Sequence, residues 1–92
     1  MNGIVVISDN NRDIGFYSFA INKENELELD YFFLHPDYIG KGFGRKMWSE
    51  CIKTAKDYKK SYFIVWADPN AEGFYEKMNC KRIGVRQYSY ST

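Results

Sequence analysis

Several residue types that dominate other protein classes are scarce in this sequence. Its 92 residues hold two cysteines, Cys51 and Cys80, one histidine, His35, and two prolines, Pro36 and Pro69. Two isolated cysteines cannot staple a small secreted scaffold, and with one histidine they make no metal-ligand cluster. Both thiols are therefore read as free, and no metal is expected. No apolar run approaches the roughly 20 residues a spanning helix needs, and no basic leader precedes an apolar core. A cytoplasmic location without membrane contact is the expectation. An excess of one charge is also missing. Thirteen Lys and Arg balance twelve Asp and Glu, a net +1, so nothing draws the whole molecule toward nucleic acid.

Aromatic residues, by contrast, make up 18% of the chain and include eight tyrosines. Abundance alone therefore assigns no role to any tyrosine. With no internal repeat, residues 1–92 read as a single domain. A domain this short buries only about 60–65% of its unfolded surface, and its many aromatics favour a dimer that hides apolar area.

Ile4-Val5-Val6-Ile7 is a β-branched run ended by turn-prone Ser8-Asp9-Asn10-Asn11, and Ile14 to Ile21 follows as its hairpin partner. Glu26, Glu28 and Asp30 alternate with Leu27, Leu29 and Tyr31, the pattern of a half-exposed strand that runs on until Pro36. From Phe43 the period changes: Phe43, Met47, Cys51, Ala55 and Tyr58 mark one face of a helix of about four turns. The late lysines Lys53, Lys56, Lys59 and Lys60 suit the negative end of that helix. Tyr62 to Ala67 is continuously apolar and predicts a central parallel strand, so strand, helix and strand form one right-handed crossover. Asp68 and Asn70 are N-cap candidates for a short helix through Met78, with Pro69 at its first position and Asn79 as a left-handed C-cap. Ile83 to Tyr90 predicts one last strand.

Ile39-Gly40-Lys41-Gly42-Phe43-Gly44-Arg45 sets glycines at alternate positions where the helix should start. A helix N-terminus offers unpaired N–H groups and partial positive charge, and glycines let those donors curl around an anion. A diphosphate is the natural guest, with Lys41 and Arg45 adding charge. The plainer reading is a flexible loop whose glycines serve tight turning. The spacing matches neither the P-loop nor the dinucleotide fingerprint.

Together with Asn70, Ala71, Phe74 and Tyr75 further on, this stretch resembles the GNAT superfamily of acyl-CoA-dependent N-acetyltransferases. The family's [RQ]-x-x-G-x-[GA] motif aligns with Ile39 to Gly44, Ile39 standing where Arg or Gln is usual. The resemblance covers about residues 4 to 90 and implies a mixed α+β fold, a mainly antiparallel twisted sheet with a central β-α-β crossover and a short second helix. Family members carry a further strand and two helices before the position of Ile4, so a shortened form of the domain is expected.

The resemblance also implies a set of roles. Acetyl-CoA would be the acyl donor, its diphosphate held by Ile39, Gly40, Lys41, Gly42, Phe43, Gly44 and Arg45. Leu34, Asn70 and Phe74 would contact the rest of the cofactor, with a backbone N–H near Phe33 or Leu34 polarising the thioester carbonyl. Glu28, on the acidic strand face, would be the general base, its proton affinity raised by Glu26 and Asp30. Tyr75 would protonate the leaving thiolate. Plainer readings stand beside these: a solvated strand face for Glu28, core packing for Tyr75, capping alone for Asn70. His35, Cys51 and Trp48 read as structural.

The expected activity is acetyl transfer to a primary amine of a small molecule, peptide or protein, the acceptor being unidentified. The alternative is a non-catalytic acyl-CoA-binding or interaction module that keeps only the cofactor site. A nucleic-acid binder is disfavoured by the balanced charge and the lack of RNA-recognition aromatics.

Overall fold

The first β-branched run forms β1 (Gly3–Asp9), which turns through Asn10 and Asn11 into β2 (Arg12–Ile21). Both asparagines take positive φ, 50° and 66°, as a two-residue hairpin turn demands. The computed structural model describes residues 3–92. β3 (Leu27–Leu34) follows antiparallel, then α1 (Phe43–Asp57) and β4 (Tyr62–Trp66), which lies parallel to β3. α2 (Glu72–Lys77), β5 (Lys81–Gly84) and β6 (Gln87–Ser91) complete the order. The six strands form one sheet in the sequence β1-β2-β3-β4-β6-β5, in which only the β3–β4 contact is parallel. This is the mixed α+β fold with a β-α-β crossover that the sequence predicts.

The apolar face of α1 buries Met47, Trp48, Cys51 and Ala55 against one side of the sheet, where Tyr17, Phe19, Leu27, Leu29, Phe63, Val65 and Tyr88 meet it. Tyr75 and Met78 of the α2 segment join the same core, so both helices cover the same face. Polar ties fix these helices in place. The Tyr17 hydroxyl lies 3.2 Å from Thr54 Oγ1, and the Tyr88 hydroxyl donates to Glu72 Oε1 at 3.1 Å and Glu76 Oε2 at 2.9 Å. His35 caps a 3-10 turn at Pro36–Tyr38, its Nδ1 accepting the Asp37 N–H at 3.1 Å. Cys51 and Cys80 are both buried and free.

Two expectations change. The last strand is two: Val85 and Arg86 turn the chain between β5 and β6, with Arg86 at φ 54°. The second helix opens as a 3-10 turn, Pro69–Ala71, capped by Asp68, whose carboxylate accepts the Asn70 N–H at 2.9 Å. Asn70 thus lies inside that turn and caps nothing, while Asn79 does adopt the left-handed conformation at φ 68°. Among the described residues, no helix is long and apolar enough to cross a membrane, and no His, Cys, Asp and Glu cluster could hold a metal.

Candidate active site

β3 and β4 pair over three residues only, Leu27–Leu29 against Phe63–Val65. A bulge between Ser18 and Phe19 leaves Asp30 as the extra residue on β3, and the added twist swings the rest of that strand away from β4. From Asp30 to Leu34, β3 is paired with β2 alone, so every second backbone group faces an opening. The N–H of His35 donates back to Ile14 at 2.7 Å. Since N–H groups alternate sides along a strand, those of Leu34 and Phe32 point into the opening and that of Phe33 points to β2. Of the two N–H groups the sequence leaves open, only that of Leu34 faces the opening, and that of Phe32, not named from the sequence, faces it as well.

The opening is a cleft of about 390 Å³, bounded by Phe32, Phe33 and Leu34 on one side and by Asp68, Asn70, Ala71, Phe74 and Tyr75 on the other. Ile39, Gly40 and Gly44 lie at its end, where it meets a second hollow of about 530 Å³ that runs over Gly42 and Arg45 to Gly73, Lys77 and Met78. Lys77 is a cation that sequence reasoning missed. Its position six residues after Ala71 on a helix facing the glycine loop is the signal that could have found it.

At the junction of the two hollows stands the start of α1. Gly42 is its N-cap in the left-handed region, φ 87°, with no side-chain cap bond, and the first helical bond is the Lys46 N–H to the Gly42 carbonyl at 3.3 Å. The N–H groups of Phe43, Gly44 and Arg45 therefore have no partner among the described residues. Gly40 also sits at φ 83°, and a Cβ at either glycine would meet open space. The loop is thus shaped by backbone conformation, and its donors stay uncovered. Gly44 is different: a Cβ there would lie 3.3 Å from the Phe74 ring, across the cleft. Lys41 and Phe43 turn their side chains to Tyr38, with Lys41 Nζ 5.8 Å from that ring and the Phe43 ring at 5.3 Å.

Tyr75 is buried in a ring cluster with Trp48, Phe74, Phe32 and Tyr88. Its hydroxyl has no hydrogen-bond partner among the described residues, whereas those of Tyr17, Tyr62 and Tyr88 are bonded. Burial, with the nearby Cys51, Cys80 and Asp68 adding to it, pushes its pKa well above the usual phenol range. It is a neutral donor at physiological pH.

Glu28 does not line the cleft. It pairs with Ala20 and Ile64 where β3 and β4 begin to part, on the face away from α1, and Asn22 Nδ2 donates to its Oε2 at 2.9 Å. Its acidic neighbours behave differently from each other. Burial, then the charge of Glu28, raises Asp30. Glu26 is lowered, because the Tyr62 hydroxyl donates to it at 2.7 Å and Asn22 at 3.0 Å. Hydrogen bonds thus outweigh the acidic neighbours at Glu26.

Residues 2–79 match the acetyltransferase (GNAT) family. No curated protein sequence matches the chain. Solved structures share its fold at low identity. An acetyltransferase from Bacillus cereus superposes with a TM-score of 0.84 at 14% identity, over 100% of this chain and 74% of its own. An acetyltransferase from Thermus thermophilus gives 0.84 at 11%, over 99% and 64%. The PaiA N-acetyltransferase of Thermoplasma acidophilum, solved in complex with coenzyme A, gives 0.81 at 19%, over 99% and 61%.

Proposed function

The chain belongs to the GNAT acetyltransferase family, and on that premise we propose that it transfers an acetyl group from acetyl-CoA to a primary amine of a small molecule, peptide or protein. The observation that carries this reading is the meeting of the β3–β4 opening with the bare N-terminus of α1. A long thioester with a diphosphate at its middle needs such a pair: an apolar slot ending on a ring of backbone donors. The Thermoplasma N-acetyltransferase binds coenzyme A on the same fold.

In this reading residues 1–92 act as one domain, in the cytoplasm. Phe43, Gly44 and Arg45 hold the diphosphate through their N–H groups, with Gly40 and Gly42 keeping the approach open and Arg45 and Lys77 adding charge. Ile39, Asn70 and Phe74 flank the pantetheine arm. The N–H groups of Phe32 and Leu34 donate to the thioester carbonyl and stabilise the oxygen as it gains charge. A primary amine near pKa 10.4 costs roughly 4–5 kcal/mol to present neutral at pH 7. Glu28 takes that proton, through water, because it stands at the mouth of the opening. The amine nitrogen then bonds to the carbonyl carbon, the carbon–sulfur bond breaks with its electron pair leaving on sulfur, Tyr75 gives its proton to the departing thiolate, and the surplus proton of the acylated nitrogen passes through water back to Tyr75. Its raised pKa makes Tyr75 a weak acid, so position supplies most of its effect.

A non-catalytic acyl-CoA-binding module is favoured by one fact, that Glu28 lies outside the cleft lining. Titrating the protein with coenzyme A while following the amides of Gly40 to Arg45, then measuring turnover over a panel of amines, separates the readings. Shifts with turnover are expected. Shifts without turnover on any amine select the module, and unmoved amides defeat both.

A further inference from the structure

α1 and α2 both cover the sheet face reached by Tyr17, Phe32, Phe63 and Tyr88, and among the described residues no helix lies on the opposite face. Alternation along the strands puts Ile4 and Val6 of β1, Phe16 and Ser18 of β2, and Tyr31 and Phe33 of β3 on that side. None of them is charged, whereas a sheet face that meets water ordinarily carries polar residues at such positions. Ile4 is 70% exposed, Val6 52%, Tyr31 62% and Phe33 49%, and Trp66 on the same face of β4 is 51% exposed. The Phe16 ring packs between those of Phe33 and Tyr31, at 5.6 and 6.3 Å, so these three rings form one continuous surface. A hollow of about 340 Å³ indents it between Ile4, Val6, Phe16 and Phe33.

We infer that a second copy of this chain docks on the helix-free face, sheet against sheet. With about 200 Å² for a fully exposed aromatic side chain, the exposed parts of these five residues come to roughly 500 Å². Two copies then remove roughly 1,000 Å² of apolar surface, the floor for a specific interface, before any polar rim is counted. A two-fold contact brings the same patch onto itself; its six strand positions carry no charge, while Asp13 at the hollow and Glu28 further along β3 lie beside them on the same side. At a net charge of +1 the copies do not repel each other appreciably. Glu28 points to the same side, so the docked copy narrows the approach to the β3–β4 opening. That consequence rests on the proposed transferase function, while the docking itself does not.

Analytical ultracentrifugation from low to high micromolar concentration tests the inference, with acrylamide quenching of Trp66 as a second reading, since Trp48 is buried. The expected result is twice the chain mass at high concentration, with quenching that falls as the dimer forms. Val6→Glu should weaken self-association about tenfold or more, because it buries an unpaired charge. Val85→Glu, at an exposed apolar residue in the β5–β6 turn, should leave it as in the wild type. If circular dichroism shows Val6→Glu unfolded, Ile4→Lys replaces it. A wild-type protein of single-chain mass throughout overturns the proposal, as does undiminished association of a folded variant. Dimers that form in a protein blind to coenzyme A support the docking while removing the transferase reading.

Discussion

The side-chain amide of Asn22 donates to Glu28 Oε2 at 2.9 Å, across the turn that joins β2 to β3. The oxygen of the same amide accepts the N–H groups of Glu24 and Glu26 at 3.0 and 2.8 Å. One residue therefore both closes the turn and aims the proposed base. Asn22→Asp keeps the acceptor, removes the donor and sets a second negative charge beside Glu28. The protein is expected to fold and bind coenzyme A as before, with kcat reduced and the acid limb of kcat/KM moved to higher pH. A pH–rate profile that does not move denies Asn22 a positioning role.

Tyr75→Phe removes a hydroxyl that holds no partner among the described residues. Stability should stay within about 0.5 kcal/mol, as for changes that break no named contact. Turnover should fall roughly 100-fold, the scale of a lost general acid, with coenzyme A affinity unchanged. Calorimetric binding beside steady-state kinetics checks it; a variant as active as the parent makes Tyr75 a core residue only.

Gly42→Ala forces an L side chain to φ 87°, at a cost of about 1–2 kcal/mol. Open space around the new Cβ rules out a clash, so the effect is one of backbone conformation. The melting temperature should drop, and coenzyme A should bind several-fold more weakly as the donors of α1 lose their alignment. Unchanged binding would show that the loop's shape is not what the ligand uses.

These tests bear on residues that were unequally legible in the sequence. α1 was readable because Met47, Cys51 and Ala55 recur every fourth residue and face the core. The hairpin of β1 and β2 was readable because asparagines tolerate positive φ. The break between β5 and β6 was not, since Val85-Arg86 carries none of the usual turn chemistry. Asn70 was misjudged as a cap because Asp68, two residues earlier, competes for the same role and wins the backbone bond. Gly40, Gly42 and Gly44 stood out, yet Phe32 and Lys77 did not, because their part in the cleft depends on strand alternation and on how α2 lies against the glycine loop. Both are facts of the assembled fold.

Lys77→Gln should weaken coenzyme A binding several-fold and make it less sensitive to salt, because an exposed cation at the second hollow acts through a screened field. Binding at two ionic strengths reads this directly. An equal salt dependence in both proteins would remove Lys77 from the anion site.

Alkaline pH should destabilise the fold. Burial and the carboxylates of Glu72 and Glu76 push Tyr88 up from 10.0 to about 12, and burial pushes Cys80 up from 9.0 to about 12. Folding favours the protonated forms, so their contribution is complete below the unfolded values and is lost as pH climbs from about 9 to about 12. Melting temperatures across that range should fall, and Tyr88→Phe should show a shallower decline. A flat profile would contradict the raised values.

The seam of three residue pairs between β3 and β4 divides the sheet into two three-stranded leaves that share little backbone bonding with each other. Whatever fills the gap touches the first leaf directly, at Phe32 to Leu34, and the second through the segment from Asp68 to Tyr75 that follows β4, and works as a clasp. The core under α1 already ties the leaves together, and a ligand in the gap would add a second tie, so amide exchange in β4 and β6 should slow together with that in β3 when the gap is filled.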